Sequence, residues 1–257
     1  MRNIKKALFI GAFFYAGTIS ASNTISCPAT HINERAHVSK VHDGDTLRLD
    51  DGRKVRLIGI DTPELARRNQ AEQPLAAEAR TVLKQLVQDA GGNIKLQFGA
   101  ERADRYQRTL AHIYLPDGRN VQAILIARGL ATAYTTPPNS RLGACYRALE
   151  DQAIASRTGI WALKDYQLKS VPELTRDDDG FRRIQGTVTR QYTGKKGEWL
   201  IIDDKLRIHI AQKDIIHFKD IRLPELIGRP VQLHGWLHPR KTDFFMALRH
   251  PSALIMK

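Results

Sequence analysis

Between residues 37 and 115 the chain falls into short runs in which apolar and polar positions alternate. Residues 37–41, 46–49, 54–60, 94–98 and 109–115 are rich in β-branched and apolar side chains, and Asp-Gly or Gly-Gly pairs stand between several of them. Period-two runs bounded by such turns predict five strands, enough for a small barrel. Between the third and fourth runs the spacing changes. Over 74–87, Leu75, Ala79, Val82, Leu83 and Leu86 share one helical face, and Pro74 suits a first turn. Residues 120–128, stopped by Gly129, predict a second helix. Residues 142–157 predict a third, striped by Leu142, Cys145, Tyr146, Leu149 and Ala153 and stopped by Gly159.

The pattern then lapses and resumes. Residues 164–180, with Pro172 and the run Asp177-Asp178-Asp179-Gly180, show no apolar period and read as a linker. Beyond it, 181–192, 198–202, 206–210, 231–237 and 244–248 predict five more strands, with 214–227 as a helical insert after the third. That order is the order of an OB-type barrel, so residues 181–257 are expected to form a second small β domain. The fold class is α+β and mostly β.

Neither half explains the first residues. Arg2, Lys5 and Lys6 precede the apolar stretch 7–17, and small or polar residues 18–22 follow, with Ala21 available for cleavage. This is the pattern of a secretory signal peptide over 1–22, and its apolar core is too short to span a hydrocarbon layer about 30 Å thick. Export, to the periplasm or outside the cell, changes the reading of the two cysteines. In an oxidising compartment Cys27 and Cys145 are expected to pair and pin the N-terminal tail to the body. The alternative is lipid anchoring at Cys27, since Thr24-Ile25-Ser26-Cys27 resembles a lipoprotein box except at Thr24, where leucine is usual.

Composition adds a partner class. The 257 residues are 42% hydrophobic, ordinary globular material, but 40 Lys and Arg against 27 Asp and Glu leave a formal charge of +13. Such a surplus favours polyanions. Against it stands a local cluster of carboxylates. Asp43-Gly44-Asp45-Thr46 and Arg56-Leu57-Ile58-Gly59-Ile60-Asp61-Thr62-Pro63-Glu64 place four acids near two strand ends, where converging carboxylates call for a cation. Strand alternation sets Arg56 on the face opposite Val55 and Leu57. It is either a barrel-surface cation or a fork-shaped donor for phosphate.

Together with Asp104-Arg105-Tyr106-Gln107-Arg108-Thr109-Leu110-Ala111, Gly129-Leu130-Ala131 and Gly159-Ile160-Trp161, these segments resemble the staphylococcal nuclease (thermonuclease) family over roughly residues 36–163. The resemblance implies an OB-type barrel packed with three helices. It further implies a calcium-dependent hydrolase of DNA and RNA phosphodiesters with little sequence demand, favouring single-stranded or locally unpaired substrate and leaving 3′-phosphates. On matching positions, Asp45 and Asp61 would give side-chain oxygens to Ca2+ and Thr62 its backbone carbonyl. Glu64 would be the general base, and Arg56 and Arg108 would hold the scissile phosphate. Tyr134 would contact a base or phosphate.

This chain departs from the family pattern at Gln107, where a glycine usually precedes the second arginine. If that position takes a positive φ, Gln107 strains the turn or re-aims Arg108. The nine histidines show no repeated spacing with Cys or carboxylates, which argues against zinc. Neither a Gly-x-Ser-x-Gly elbow nor a phosphate-binding Gly-Lys loop is present. In the second domain, Arg182, Arg183, Arg190, Lys195 and Lys196, with Tyr192 and Trp199, are candidates for a single-strand surface, the alternative being a structural or partner-binding barrel. For the whole chain the alternative to an enzyme is a nuclease-like module that binds nucleic acid without cutting it. Such a binder is expected to lack some of Asp45, Arg56, Asp61 and Glu64, and all four are present.

Overall fold

The computed structural model describes residues 26–256, apart from Arg67 and Asn69. The expected signal peptide, 1–22, lies outside the described residues. The first half runs β1 (Glu34–Val41), β2 (Thr46–Leu49), β3 (Lys54–Leu57), β4 (Ile60–Asp61), α1 (Ala76–Asp89), β5 (Asn93–Ala103), β6 (Thr109–Tyr114), α2 (Val121–Ala127), β7 (Thr132–Ala133) and α3 (Gly143–Ala155). Strands β1-β2-β3-β6-β5 close into a barrel in which β3 and β6 are parallel and β5 returns antiparallel to β1. This is the expected OB-type barrel with its three helices. Its alternating residues Leu47, Leu49, Val55, Leu57, Ile94 and Leu96 are almost fully buried, and the apolar faces of the helices close over them.

The third strand is shorter than the pattern predicts, and the difference positions the site. Gly59 has φ +83°, and a Cβ there would meet the Tyr146 ring at 2.7 Å, so the chain turns tightly against α3 after Leu57. The run that reads as one strand is split. Ile60 and Asp61 leave the barrel and pair instead with Ala133 and Thr132 of β7.

Cys27, itself buried, is bonded to Cys145 on α3, with an S–S distance of 2.04 Å. The pairing expected from the sequence thus ties the N-terminal segment to the third helix. Closing a loop across 118 residues removes up to about 5 kcal/mol of chain entropy from the unfolded state.

The second half contains β8 (Leu168–Ser170), β9 (Gly180–Gly194), β10 (Gly197–Ile202), β11 (Leu206–Ala211), β12 (Pro230–Pro239), β13 (Phe244–Ala247) and β14 (Leu254–Met256). Pairing of β12 with β9 closes β9-β10-β11-β13-β12 into a second five-strand barrel, again with its third and fifth strands, β11 and β13, parallel. The two barrels share one strand order. The helical insert expected at 214–227 is two short 3-10 turns, Gln212–Phe218 and Leu223–Leu226, whose Phe218, Leu223 and Leu226 plug the core.

Residues 164–180, which read as a linker, are built into this barrel. Strand β8 pairs parallel to β9, Val171 and Leu174 enter the second core, and Asp178 is held by Lys169, Thr175 and Arg182. Two isolated apolar residues carry no period, yet they suffice to anchor a segment when the barrel end is open to them. The halves also touch. Trp161 lies edge-on to Tyr166 and Phe181, and Arg147 of α3 donates to His234 of β12 at 2.9 Å.

Candidate active site

Asp45 ends the turn between β1 and β2. Its backbone N–H donates to Asp43 Oδ1 at 3.1 Å, and its own Oδ2 accepts from the backbone N–H and the hydroxyl of Thr62, each at 3.2 Å. Only glycine fits before it. A Cβ on Gly44 would lie 2.8 Å from Ala79 Cβ on α1 and 2.8 Å from Thr62 Oγ1, so the missing side chain lets the turn seat against the Asp61-Thr62 segment. Two stretches separated by seventeen positions are thereby locked together.

Arg56 lies between them. On β3 its neighbours Val55 and Leu57 face the core, which turns Arg56 outward. Nη1 sits 3.0 Å from Asp45 Oδ2 and Nη2 sits 2.9 Å from Asp61 Oδ1, so one planar guanidinium spans both carboxylates. Nη1 also donates to the carbonyl of Leu57 at 2.7 Å, which fixes the plane of the fork.

Both carboxyls beside Arg56 are raised. Burial pushes Asp61 up to about 7, Arg56 opposes the shift, and Asp45, Glu64 and Asp43 add to it. Asp45 is raised for the same first reason, with Arg56 again opposing. Among the described residues Arg56 is the cation that spans Asp45 and Asp61, and the burial that raises both carboxyls makes a further positive charge beside them favourable. The donors are carboxylates and carbonyls, hard oxygens that match calcium or magnesium rather than zinc or copper. The expected ligands Asp45, Asp61 and Thr62 therefore fit a hard divalent cation in chemistry.

Glu64 follows two residues after Thr62. Its backbone N–H donates to Gln73 Oε1 at 2.8 Å, and the Gln73 N–H returns a bond to the Glu64 carbonyl at 2.9 Å. Gln73, just ahead of α1, thus fixes the backbone of the expected base, a role the sequence reading missed for want of any motif around it. Glu150 has a similar part. Buried on α3, it accepts from Ala133 N–H at 2.8 Å and so holds β7, the partner of β4. Burial pushes its carboxyl up to about 7 against the pull of Arg147.

Arg108 stands apart. It immediately precedes β6, whose Thr109 and Leu110 lie beside Val55 and Arg56 on β3, so it belongs to the same end of the barrel. Its guanidinium is turned onto Asp104, with Nε 2.7 Å from Oδ2, and its backbone N–H donates to Oδ1. Against desolvation, these bonds hold Asp104 below the usual carboxylate range. Gln107 has φ +60°, the left-handed conformation that glycine adopts freely. Tyr134 follows β7, and its N–H donates to Gly59 O at 3.0 Å, so its backbone is tied to the turn that aims Asp61.

Asp61 and Thr62 open onto a cleft of about 130 Å³ whose other wall comes from the second half: Tyr166, Asp179, Arg182 and Trp236. Burial first, and then the nearby charge of Asp61, push the Tyr166 hydroxyl up to about 12. Of the candidates for a single-strand surface, Arg182 lines this cleft and Arg183 does not. Arg182 is buried against Asp178, and Arg183 stands over the Trp161 ring at 5.8 Å.

The family pattern described as "Staphylococcal nuclease homologue" matches residues 54–163. Endonuclease YncB of Bacillus subtilis (strain 168) is 36% identical over 129 residues, 48% of this chain and 60% of the relative. A thermonuclease of Staphylococcus intermedius is 36% identical over 128 residues, 48% of this chain and 74% of the relative. A thermonuclease of Staphylococcus hyicus is 32% identical over 142 residues, 53% of this chain and 82% of the relative. The chain spans 60% of YncB and about three quarters or more of the two thermonucleases. Each match covers about half of this chain.

Proposed function

The chain belongs to the staphylococcal nuclease family, and on that premise we propose that it hydrolyses phosphodiester bonds of DNA and RNA with calcium as cofactor, little sequence demand and 3′-phosphate products. The observation that carries this reading is the single guanidinium of Arg56 spanning Asp45 and Asp61 beside Glu64. Phosphoryl transfer asks a protein chiefly for positioning and for neutralising charge on the equatorial oxygens, and a fixed arginine fork at the edge of an acidic cluster offers both.

Each residue then has a role set by its place. Arg56, with its plane fixed by the Leu57 carbonyl, donates two N–H groups to the phosphate. Glu64 accepts a proton from the attacking water. Arg108 meets the phosphate from the neighbouring strand end once it turns from Asp104, and Tyr134 contacts the adjoining nucleotide. Asp45, Asp61 and the Thr62 carbonyl would hold calcium, which would supply a hard positive charge to the site. The Cys27–Cys145 bond supports export to an oxidising compartment, as the 1–22 leader leads one to expect. Among the described residues no helix is long and apolar enough to cross a membrane.

The test is digestion of DNA and RNA by the purified mature protein, in calcium and in chelator, beside Glu64→Ala and Asp45→Asn. Wild type in calcium should be faster than Glu64→Ala by on the order of 10² to 10⁴. If the two are equally slow while nucleic acid is still bound, the chain is a binding module and the enzyme reading fails.

A further inference from the structure

Strand alternation in the second barrel leaves a row of rings on its outer face. Leu200 on β10, Ile208 and Ile210 on β11 and Met246 on β13 are fully buried, so Trp199, His209 and Phe245 point the other way. Register aligns them. Trp199 pairs with Tyr192 of β9 on one side and with His209 of β11 on the other. Tyr192 and Trp199 are nearly parallel, 7° apart with centroids at 6.1 Å, and Trp199 stacks on His209 at 4.4 Å and 28°. Phe245 continues the patch at 6.3 Å from Trp199, under the guanidinium of Arg240 at 4.5 Å.

This row is not core. Tyr192 is 43% exposed, Trp199 and Phe245 are half-buried, and the barrel interior is filled from the opposite face. Gly194 keeps the platform flat, because a Cβ there would press on Trp199 at 3.0 Å from Nε1. Exposed cations frame it. Lys195 and Lys196 occupy the β9–β10 turn, and Arg240 and Lys241 the β12–β13 loop. The Lys196 carbonyl lies 3.3 Å from His209 Nε2, which holds that turn against the rings. Two acids at the edge, Asp243 and Asp204, already face Arg207 and Arg190. The surplus charge is positive.

A flat aromatic row with cations at both loops matches unpaired nucleotides: bases offer π-faces to the rings and phosphates pair with the cations. The second and third strands of an OB-type barrel and its first and fourth loops are where that fold takes oligonucleotides. A duplex keeps its bases stacked internally and cannot use the rings. We propose that this face of β9, β10, β11 and β13 binds single-stranded nucleic acid, with bases stacked on Tyr192, Trp199 and Phe245 and phosphates met by Lys195, Lys196 and Arg240. The surface lies outside the proposed hydrolytic site and its binding does not require hydrolysis.

The test is fluorescence anisotropy of labelled dT15 and U15 with the full chain in chelator, where cleavage is suppressed. Trp199→Ala should weaken binding of both strands roughly 5- to 100-fold, and Tyr192→Ala, on an exposed ring that carries no core contact, by a smaller factor. Lys195→Glu with Lys196→Glu should weaken binding and flatten its dependence on salt concentration. Hydrolysis of a trinucleotide taken up at the carboxylate site alone should be unchanged in all three. Unaltered affinity in Tyr192→Ala and in the double lysine variant would overturn the proposal, whether or not Trp199→Ala folds. So would a duplex bound as tightly as the single strands. If no variant or wild type cuts anything, yet the affinity losses appear, the binding surface stands and only the hydrolytic reading falls.

Discussion

Nη2 of Arg56 lies 2.9 Å from Oδ1 of Asp61, a residue five positions later that reaches it only because the chain turns at Gly59. The same guanidinium holds Asp45, so removing its fork should separate charge from geometry. Arg56→Lys keeps a cation but cannot span two oxygens bidentately, and kcat should fall by about 10²-fold or more with the fold intact by circular dichroism. A kcat within threefold of wild type would show that a point charge is enough.

Calcium should stabilise the folded chain through the same acids. Among the described residues Arg56 is the cation that spans Asp45 and Asp61, and a bound ion at 100 times its Kd would add about 2.7 kcal/mol. The melting temperature should therefore rise on going from chelator to calcium, and the rise should vanish in Asp45→Asn. A shift that survives this substitution would place the ion elsewhere.

Gln107 stands at φ +60° in the turn that presents Arg108. A non-glycine residue there carries a penalty, partly offset by the lower freedom it has when unfolded, so Gln107→Gly should raise stability by about 0.5–1 kcal/mol. Denaturant titration reads this directly. A loss of stability would mean that the glutamine side chain makes up for its backbone.

Reduction should loosen the N-terminal segment. With Cys27 cross-linked to Cys145 across most of the first domain, dithiothreitol or Cys27→Ser with Cys145→Ser should lower stability by about 2–5 kcal/mol. Thiol counting under denaturing, non-reducing conditions should find no free thiol in protein folded in an oxidising compartment.

Acid should weaken the contact between the barrels. His234 is buried and takes a hydrogen bond from Arg147, so burial and then the charges of Arg147 and Arg183 hold it down at about 3. His112 is held at about 4, chiefly by burial. A depressed histidine gains its proton more readily when unfolded, so the share of stability carried by His234 and His112 is intact above about pH 6.5 and falls as pH drops toward 4, while the raised carboxyls of Asp61 and Glu150 pull the other way. His234→Gln, which keeps an acceptor for Arg147, should show a shallower fall in melting temperature between pH 6.5 and 4. An unchanged slope would mean that His234 is not a source of the acid limb.

Much of this protein is legible in its sequence because the relevant signals are local. Period-two runs define both five-strand sets, since each strand must bury one face. The order of Asp45, Arg56, Asp61, Thr62 and Glu64 marks a candidate site because hard-oxygen donors and a fork donor are recognisable by residue type. What the tertiary structure alone decided is which of these groups meet. Asp61 leaves its strand through the turn at Gly59, Arg108 faces Asp104, and residues 164–180 join the second barrel through Val171 and Leu174. Gln73, Glu150 and Tyr166 reach the site through contacts across nine or more positions, and no periodicity records such distances. Alternation likewise fixes the rings of Tyr192 and Trp199 to their strands, but only the register of β9, β10 and β11 lines them up. Side-chain direction is a local property of a strand, whereas register and closure depend on partners distant in the chain.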